Sequence, residues 1–212
     1  MSELHNCFVS YKFEDYDQKY AVDILDLLKE RGDVGKGMRD DKEIESDDLE
    51  YVMQRIREKY MNNTTVTIFL IGEHSSENEG NDYLGRNKQA FIIKELQATL
   101  YNGKGNPRDG LLGIVLPNMY GRIYGGTVRC GVCGSNHSIV NINDGTVIRE
   151  FSNNYYLHSS LPCKTAFAEE DRYCVLATYD DFMKDPDSFI DLAFEKTKQP
   201  IAGEVHWRNL RD

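Results

Sequence analysis

The sequence predicts an α/β protein in which helices cover both faces of a mostly parallel β-sheet. Segments with the composition of buried strands alternate along the 212 residues with segments of helical hydrophobic period. The strongest strand is 65–72 (TVTIFLIG), since β-branched and aromatic residues dominate it and both of its faces are apolar. A strand of this kind lies inside a sheet that is covered on both sides. We expect about five parallel strands in that sheet.

Composition and end signals locate the strands and helices. Three further segments have the apolar, β-rich composition of strands, namely 7–11, 111–116 and 173–178. Helical periods occur in four segments, at about 21–32, 46–60, 87–101 and 185–197. Gly32 is a typical helix stop, Ser46 is a plausible N-cap, and Asp185 followed by Pro186 is a typical helix start. The expected core contacts of the third helix are Phe91, Ile92, Ile93, Leu96 and Leu100.

The stretch from about 118 to 171 breaks this alternation. Glycine and asparagine are frequent there, the apolar runs are short, and no helical period is present. We therefore expect one domain over 1–212, with an irregular or β-hairpin insertion at about 118–171 before the last strand. A chain of this length falls within the usual size range of a single domain.

Composition and charge favour a cytoplasmic protein and disfavour two classes of partner. With 40% hydrophobic and 28% charged residues, the chain should fold into a globular domain. Its formal net charge is −10 and lysine and arginine form no long run, which argues against binding to nucleic acid. No apolar stretch approaches the roughly 20 residues of a membrane span, and the start MSELHNCF lacks the features of a signal peptide.

Sheets of this type bind ligands beyond the carboxyl ends of their strands. The positions at that edge are Ser10 and Tyr11 with the loop that follows them, residues 72–81, and residues 117–120. Asp15 and Asp17 belong to the first of these loops, where ligand contacts are expected. The many acidic residues nearby nevertheless favour simple solvation of these two side chains, as they do for Asp40 and Asp41.

Three motifs occur in the order found in TIR and TIR-like domains. The chain opens with FVSYKFEDYD, continues with the strand VTIFLIG, and then contains AFIIKEL, in which an aromatic residue stands four positions before a glutamate. Later segments that fit the same pattern are GIVLPN, NNYY and YCVLATYDDF. The chain most resembles the TIR-like proteins of bacterial Thoeris anti-phage defence, over Cys7 to Lys196. This resemblance implies a three-layer, flavodoxin-like TIR-type fold.

The resemblance implies an enzyme that breaks the nicotinamide–ribose bond of NAD. Such proteins release nicotinamide, join the ADP-ribose to itself as a cyclic product or to another acceptor, and signal to a partner effector. The family's catalytic glutamate falls on Glu95, since Phe91 precedes it by four positions and Leu96 follows it. The expected substrate-binding residues are Ser10 and Tyr11, in the loop that borders the nicotinamide ribose, and Phe91, where tryptophan is frequent. Self-assembly through TIR-like faces is also implied.

A single glutamate is chemically sufficient for this reaction. Cleavage of a ribosyl C–N bond passes through an oxocarbenium-like state, whose positive charge a carboxylate offsets. Nicotinamide leaves as a neutral group, so no general acid is strictly required. We expect no cofactor, since NAD is the substrate. Judged by residue type alone, Glu95 is an ordinary exposed helix residue. Two other functions stay open: a TIR-like interaction module without catalysis, and an N-glycosidase like the nucleoside deoxyribosyltransferases.

The insertion contains the ligand types of a structural zinc site. Cys130 and Cys133 have knuckle-like C-x-x-C spacing before a glycine, and His137, His158 and Cys163 follow. A metal ion would stabilise a segment that lacks an evident core of its own. The alternative is reduced thiols without a metal, because no second C-x-x-C is present and the five cysteines occur in a chain without an export signal.

Overall fold

Strands and helices alternate along most of the chain. The computed structural model describes residues 4–32, 49–81, 83, 85, 87–103, 107–164 and 166–207. In chain order the elements are β1 (Cys7–Ser10), α1 (Asp15–Arg31), α2 (Leu49–Tyr60), β2 (Val66–Ile71), α3 (Ala90–Leu100), β3 (Gly110–Val115), α4 (Tyr120–Ile123), β4 (Tyr124–Arg129), β5 (Asn136–Val140), α5 (Arg149–Ser152), β6 (Val175–Thr178), α6 (Tyr179–Lys184) and α7 (Pro186–Lys196). The proposed cap Ser46 and the pair Asp40 and Asp41 lie outside the described residues.

The central sheet is parallel, with strand order β1-β2-β3-β6. Strand β2 pairs in parallel with β1, where Phe69 lies opposite Ser10, and with β3, where Val66 lies opposite Gly110. The strand with two apolar faces therefore lies inside the sheet, as its composition predicted. Over the described part of the chain this sheet has four strands, one fewer than the approximate number expected.

Helices cover both faces of the sheet and give the three layers that were predicted. Alternate residues of β2 face opposite sides. Phe69 and Ile71 pack in the cluster formed with α3 and α5, whereas Ile68 and Leu70 pack in the cluster formed with α1, α6 and α7. At Gly110 a Cβ atom would lie 2.2 Å from the backbone oxygen of Ala193, so α7 crosses β3 where only glycine leaves enough room.

The helix ends follow the capping signals in the sequence. Gly32 ends α1 in the left-handed conformation, with φ of +84°, and its N–H donates to the carbonyl of Lys29 at 3.1 Å. The side chain of Asp185 accepts the N–H of Ser188 at 3.3 Å, and Pro186 is the first residue of α7. Among the described residues, no helix combines the length and the apolar composition that crossing a membrane requires.

Helix α3 begins later than predicted, and Phe91 is not one of its core contacts. The helix spans Ala90–Leu100, and its inward stripe contains Ile92, Leu96 and Leu100. Phe91 is 42% exposed, so its assignment to the core is wrong. Phe91 lies in the first turn of α3, beside the inward stripe but outside it. Apolar character alone does not show which side of a helix faces the core.

The insertion between β3 and β6 contains an antiparallel hairpin and two short helices. Strands β4 and β5 form the hairpin, with a register shift between Tyr124 and Thr127. Helix α5 buries Phe151 against Phe69, with ring centroids 5.8 Å apart. The hairpin agrees with the irregular or β-hairpin insertion that was predicted. The sequence did not reveal α4 and α5, because helices of four residues are too short to produce a helical period.

Candidate active site

Ser10 and Glu95 meet at the carboxyl edge of the sheet. Ser10 is the last residue of β1, and Glu95 lies in the middle of α3. The Ser10 hydroxyl donates a hydrogen bond of 2.6 Å to Oε2 of Glu95. The two residues are only 1% and 5% exposed, respectively. The structure thus brings together two residues, 85 positions apart, that the sequence resemblance assigned to one site.

The Glu95 carboxyl group is buried beside apolar side chains. Its helix neighbours Ile92, Leu96 and Ala98 are buried as well. Burial raises the pKa of Glu95 to about 8, and the hydrogen bond from Ser10 opposes this rise. Glu95 is therefore not an exposed surface residue, and at neutral pH its carboxyl group is mostly protonated in the unliganded protein. Carboxyl groups with strongly raised pKa values cluster at functional sites.

Glu95→Gln should stabilise the fold at neutral and alkaline pH. In the unfolded chain the Glu95 pKa is near its ordinary value of about 4.3. Between that value and the folded pKa of about 8, the unfolded chain loses a proton that the folded protein keeps, so wild-type stability falls as pH rises. Glutamine does not titrate, so the variant avoids this loss and should gain up to about 4 kcal/mol in free energy of unfolding at neutral pH. Urea denaturation of both proteins at about pH 5 and about pH 8 measures the difference; an equal difference at both pH values would contradict a buried, titrating carboxyl group.

Phe91 and Tyr11 lie in different surroundings. Phe91 is one turn before Glu95, and its partly exposed ring is available to stack on an aromatic ligand. Tyr11 packs against the hydrophobic cluster on the opposite face of the sheet, with its ring centroid 6.4 Å from that of Phe13. Successive residues of a strand point to opposite faces, which separates Tyr11 from Ser10. The structure therefore places Ser10, and not Tyr11, against Glu95.

A second buried carboxyl group lies at the same edge. Asp17, in the first turn of α1, is 4% exposed, and a Cβ atom at Gly72 would lie 2.2 Å from its Oδ1. Its Oδ2 is buried and has no hydrogen-bond partner among the described residues. Burial raises the pKa of Asp17 to about 6, and the charge of Glu14 adds to this rise. The expectation of a solvated side chain is wrong for Asp17, because α1 begins early and carries this residue against the end of β2.

Two side chains that sequence reasoning missed hold the loops at this edge. Gln89 is fully buried, and its amide donates hydrogen bonds to the carbonyls of His74 and of Ser76, the latter at 2.9 Å. The Lys12 amine donates a hydrogen bond to the carbonyl of Lys88. The loops after β1 and β2 are therefore both attached to the segment that begins α3. A lone glutamine or lysine in a loop carries no sequence pattern that reveals such a role.

The remaining part of the edge and a cavity at the insertion are formed by other residues. Residues 117–120 form a 3₁₀ turn and the start of α4, where the Tyr120 hydroxyl donates to Asp180 at 3.0 Å. A cavity of about 730 Å³ is lined by insertion residues such as Asp144 and by Trp207, but neither Ser10 nor Glu95 lines it. With 5% of the residue exposed, Glu95 presents little surface to a ligand in this structure.

Four predicted metal ligands converge elsewhere, at the tip of the hairpin in the insertion. The ligand atoms of Cys130, Cys133, His137 and Cys163 all lie within 4.8 Å of one another. His158 is not part of this group, since its Nδ1 lies 2.9 Å from Glu204. Three thiols and one imidazole are a ligand set that suits zinc.

The architecture defines the class of protein. A parallel sheet between two helical layers, with a buried polar pair at the carboxyl end of its first strand, is the arrangement of flavodoxin-like α/β proteins that bind ligands at this edge. The observed fold agrees with the TIR-type variant of this class that was predicted.

One family model matches the first part of the chain. Residues 8–80 match the family described as Thoeris protein ThsB, TIR-like domain. The matched segment, about a third of the chain, contains Ser10 and ends before Glu95. Over this segment the match agrees with the resemblance to TIR-like proteins inferred from the motifs. Neither the curated proteins nor the solved structures yield a significant match.

Proposed function

We propose that the protein cleaves the bond between nicotinamide and ribose in NAD, with Glu95 as the catalytic residue. The observation that carries this proposal is the buried hydrogen bond of 2.6 Å between Ser10 and Glu95 at the ligand-binding edge of the sheet. The similarity of residues 8–80 to a TIR-like domain of Thoeris defence supports the same conclusion. Ser10 and Phe91 are the proposed substrate contacts nearest to Glu95 in the fold, with Tyr11 at the start of the same loop.

The proposed reaction needs one negative charge at one position. The bond between C1′ of the ribose and the nicotinamide nitrogen breaks, and its electron pair leaves with neutral nicotinamide. The Glu95 carboxylate offsets the positive charge that develops on the ribose, and Ser10 orients the carboxylate. An acceptor, either water or a nucleophilic group of the ADP-ribose itself, then adds to C1′ and gives up a proton. The resulting ADP-ribose product is the proposed signal to a partner effector.

The unliganded protein has two barriers to this reaction. Its Glu95 is mostly protonated at neutral pH, and only 5% of the residue is exposed. The positive charge on the nicotinamide ring of NAD removes the first barrier, since a nearby cation favours the ionised carboxylate. Removal of the second barrier, the burial of Glu95, requires local opening at the sheet edge. Both features suit an enzyme that stays silent until a trigger or self-assembly rearranges this edge.

Product analysis after incubation with NAD tests the proposal. The protein is assayed when purified and also in cells challenged with phage, because the enzyme can require a trigger. Free nicotinamide together with an ADP-ribose product is the expected result. Release of a base from deoxynucleosides, with NAD left intact, would instead indicate the deoxyribosyltransferase-like alternative. Intact NAD and intact deoxynucleosides in challenged cells would indicate an interaction module.

The pH dependence of the reaction should follow the Glu95 carboxyl group. If the carboxylate is the active form, kcat/KM rises about tenfold per pH unit and levels off above about pH 8, because this parameter reports the free enzyme. Ser10→Ala removes the hydrogen bond that lowers the pKa of Glu95. The midpoint of the kcat/KM profile of this variant should therefore move to higher pH. Thr99→Val is a matched control, since the Thr99 hydroxyl bonds to Thr67 and to the Glu95 backbone and not to the carboxylate. An unchanged midpoint in Ser10→Ala would show that another group controls the profile.

A further inference from the structure

We infer that Cys130, Cys133, His137 and Cys163 form a structural zinc site. Their four ligand atoms lie within 4.8 Å of one another. Nε2 of His137 lies 3.1 Å from Sγ of Cys133 and 3.5 Å from Sγ of Cys163. With Zn–S bonds of about 2.3 Å and Zn–N bonds of about 2.0–2.1 Å, a tetrahedral ion separates neighbouring ligand atoms by about 3.5–3.8 Å. Small side-chain adjustments therefore place all four atoms around one ion.

The backbone between the first two cysteines has the form of a metal-binding turn. The N–H of Gly134 donates to the carbonyl of Cys130 at 2.9 Å, and the N–H of Cys130 donates to Ser135 at 2.8 Å. The N–H of Val132 donates to Sγ of Cys130 at 3.4 Å, which stabilises a thiolate at that position. Gly134 has a φ of +71°, so the chain reverses there and returns His137 to the two cysteines.

The surroundings explain what a metal would contribute. The hairpin is mostly exposed, with Val128 51% and Val132 73% accessible, and an isolated two-stranded hairpin is at best marginally stable in water. Cys163 is 6% exposed and comes from a separate loop. An ion shared by the exposed end of the hairpin and this loop would hold the two segments together.

The ligand set specifies both the ion and its role. Thiolate and imidazole ligands suit zinc, whereas magnesium and calcium prefer oxygen ligands. Four protein ligands fill the tetrahedral coordination of zinc and leave no position for a substrate, so the proposed site is structural. Binding converts the three thiols to thiolates and releases their protons, and no oxidant or reductant is involved.

Metal analysis of the full-length protein, purified under reducing conditions, tests the inference. We expect about one zinc ion per chain in the wild type, and less than about a tenth of an ion in Cys133→Ser and in His137→Ala. Cys133 is exposed, so its replacement is not expected to prevent folding. His158→Ala is the matched control, because this histidine lies in the same insertion but bonds to Glu204, and it should retain the full zinc content.

A second measurement on the wild type keeps the inference independent of any variant. After chelation and reconstitution with Co²⁺, the protein should absorb as a tetrahedral cobalt complex with thiolate ligands, and chelation alone should lower its Tm. Wild-type protein with less than about a tenth of a zinc ion per chain and without a cobalt spectrum would overturn the inference. Full zinc content in Cys133→Ser or His137→Ala would overturn it as well. Neither readout depends on NAD cleavage, so failure here leaves the proposed function unaffected.

Discussion

Glu95→Gln is expected to reduce nicotinamide release from NAD by about 10²–10³-fold while the protein remains folded. Glutamine keeps the size of the side chain, the helix propensity and an oxygen that accepts the hydrogen bond from Ser10. It removes only the negative charge that offsets the ribosyl cation. Nicotinamide release is measured under the conditions in which the wild type is active, and circular dichroism verifies the fold.

Glu150→Gln provides a matched control for this experiment. Glu150 is also buried, at 2% exposure, but it lies in α5 and accepts a hydrogen bond of 3.0 Å from Gln97, away from Ser10. Its replacement makes the same chemical change in a buried glutamate and should leave nicotinamide release within a few-fold of wild type. If the active wild type and Glu95→Gln release nicotinamide equally well, the carboxylate of Glu95 is not catalytic. The alignment of AFIIKEL with the family's catalytic segment would then be mistaken.

Asp109→Ala is expected to destabilise the protein by about 3–5 kcal/mol, the largest effect on folding that we predict. Oδ1 of Asp109 pairs with Nη2 of Arg57 at 2.9 Å, and the two side chains are only 1% and 4% exposed. Oδ2 of Asp109 accepts a hydrogen bond of 2.7 Å from Thr64. The substitution leaves the Arg57 guanidinium buried without its counter-charge, and urea denaturation measures the loss.

The double variant Arg57→Met/Asp109→Leu separates this explanation from a simple packing defect. Burial raises the pKa of Asp109 to about 6 although the charge of Arg57 opposes the rise, so desolvation outweighs the attraction within the pair. Replacing both partners with apolar side chains should therefore recover most of the stability that Asp109→Ala loses. A double variant at least as unstable as Asp109→Ala would show that the loss comes from packing and not from an uncompensated buried charge.

Local patterns predicted the elements well where one physical requirement dominates. Strand β2 is apolar on both faces because helices cover both sides of the sheet, and its composition alone placed it inside the sheet. Helix α1 ends at Gly32 and helix α7 begins after Asp185. Both signals act through local backbone chemistry that does not depend on the rest of the fold. Burial was harder to predict: Phe91 is partly exposed and Asp17 is buried, each against its residue type.

The sequence by itself determined the alternation of strands and helices, the main helix ends, the order of the family motifs and the C-x-x-C turn, because each depends on residues close together in the chain. Only the tertiary structure decided that Ser10 reaches Glu95 and that Cys163 joins the turn of Cys130 and Cys133. It also decided that the Glu95 carboxyl group is buried, which raises its pKa. Contacts between distant positions depend on strand register and helix packing, and the cost of burying a charge depends on every group around it.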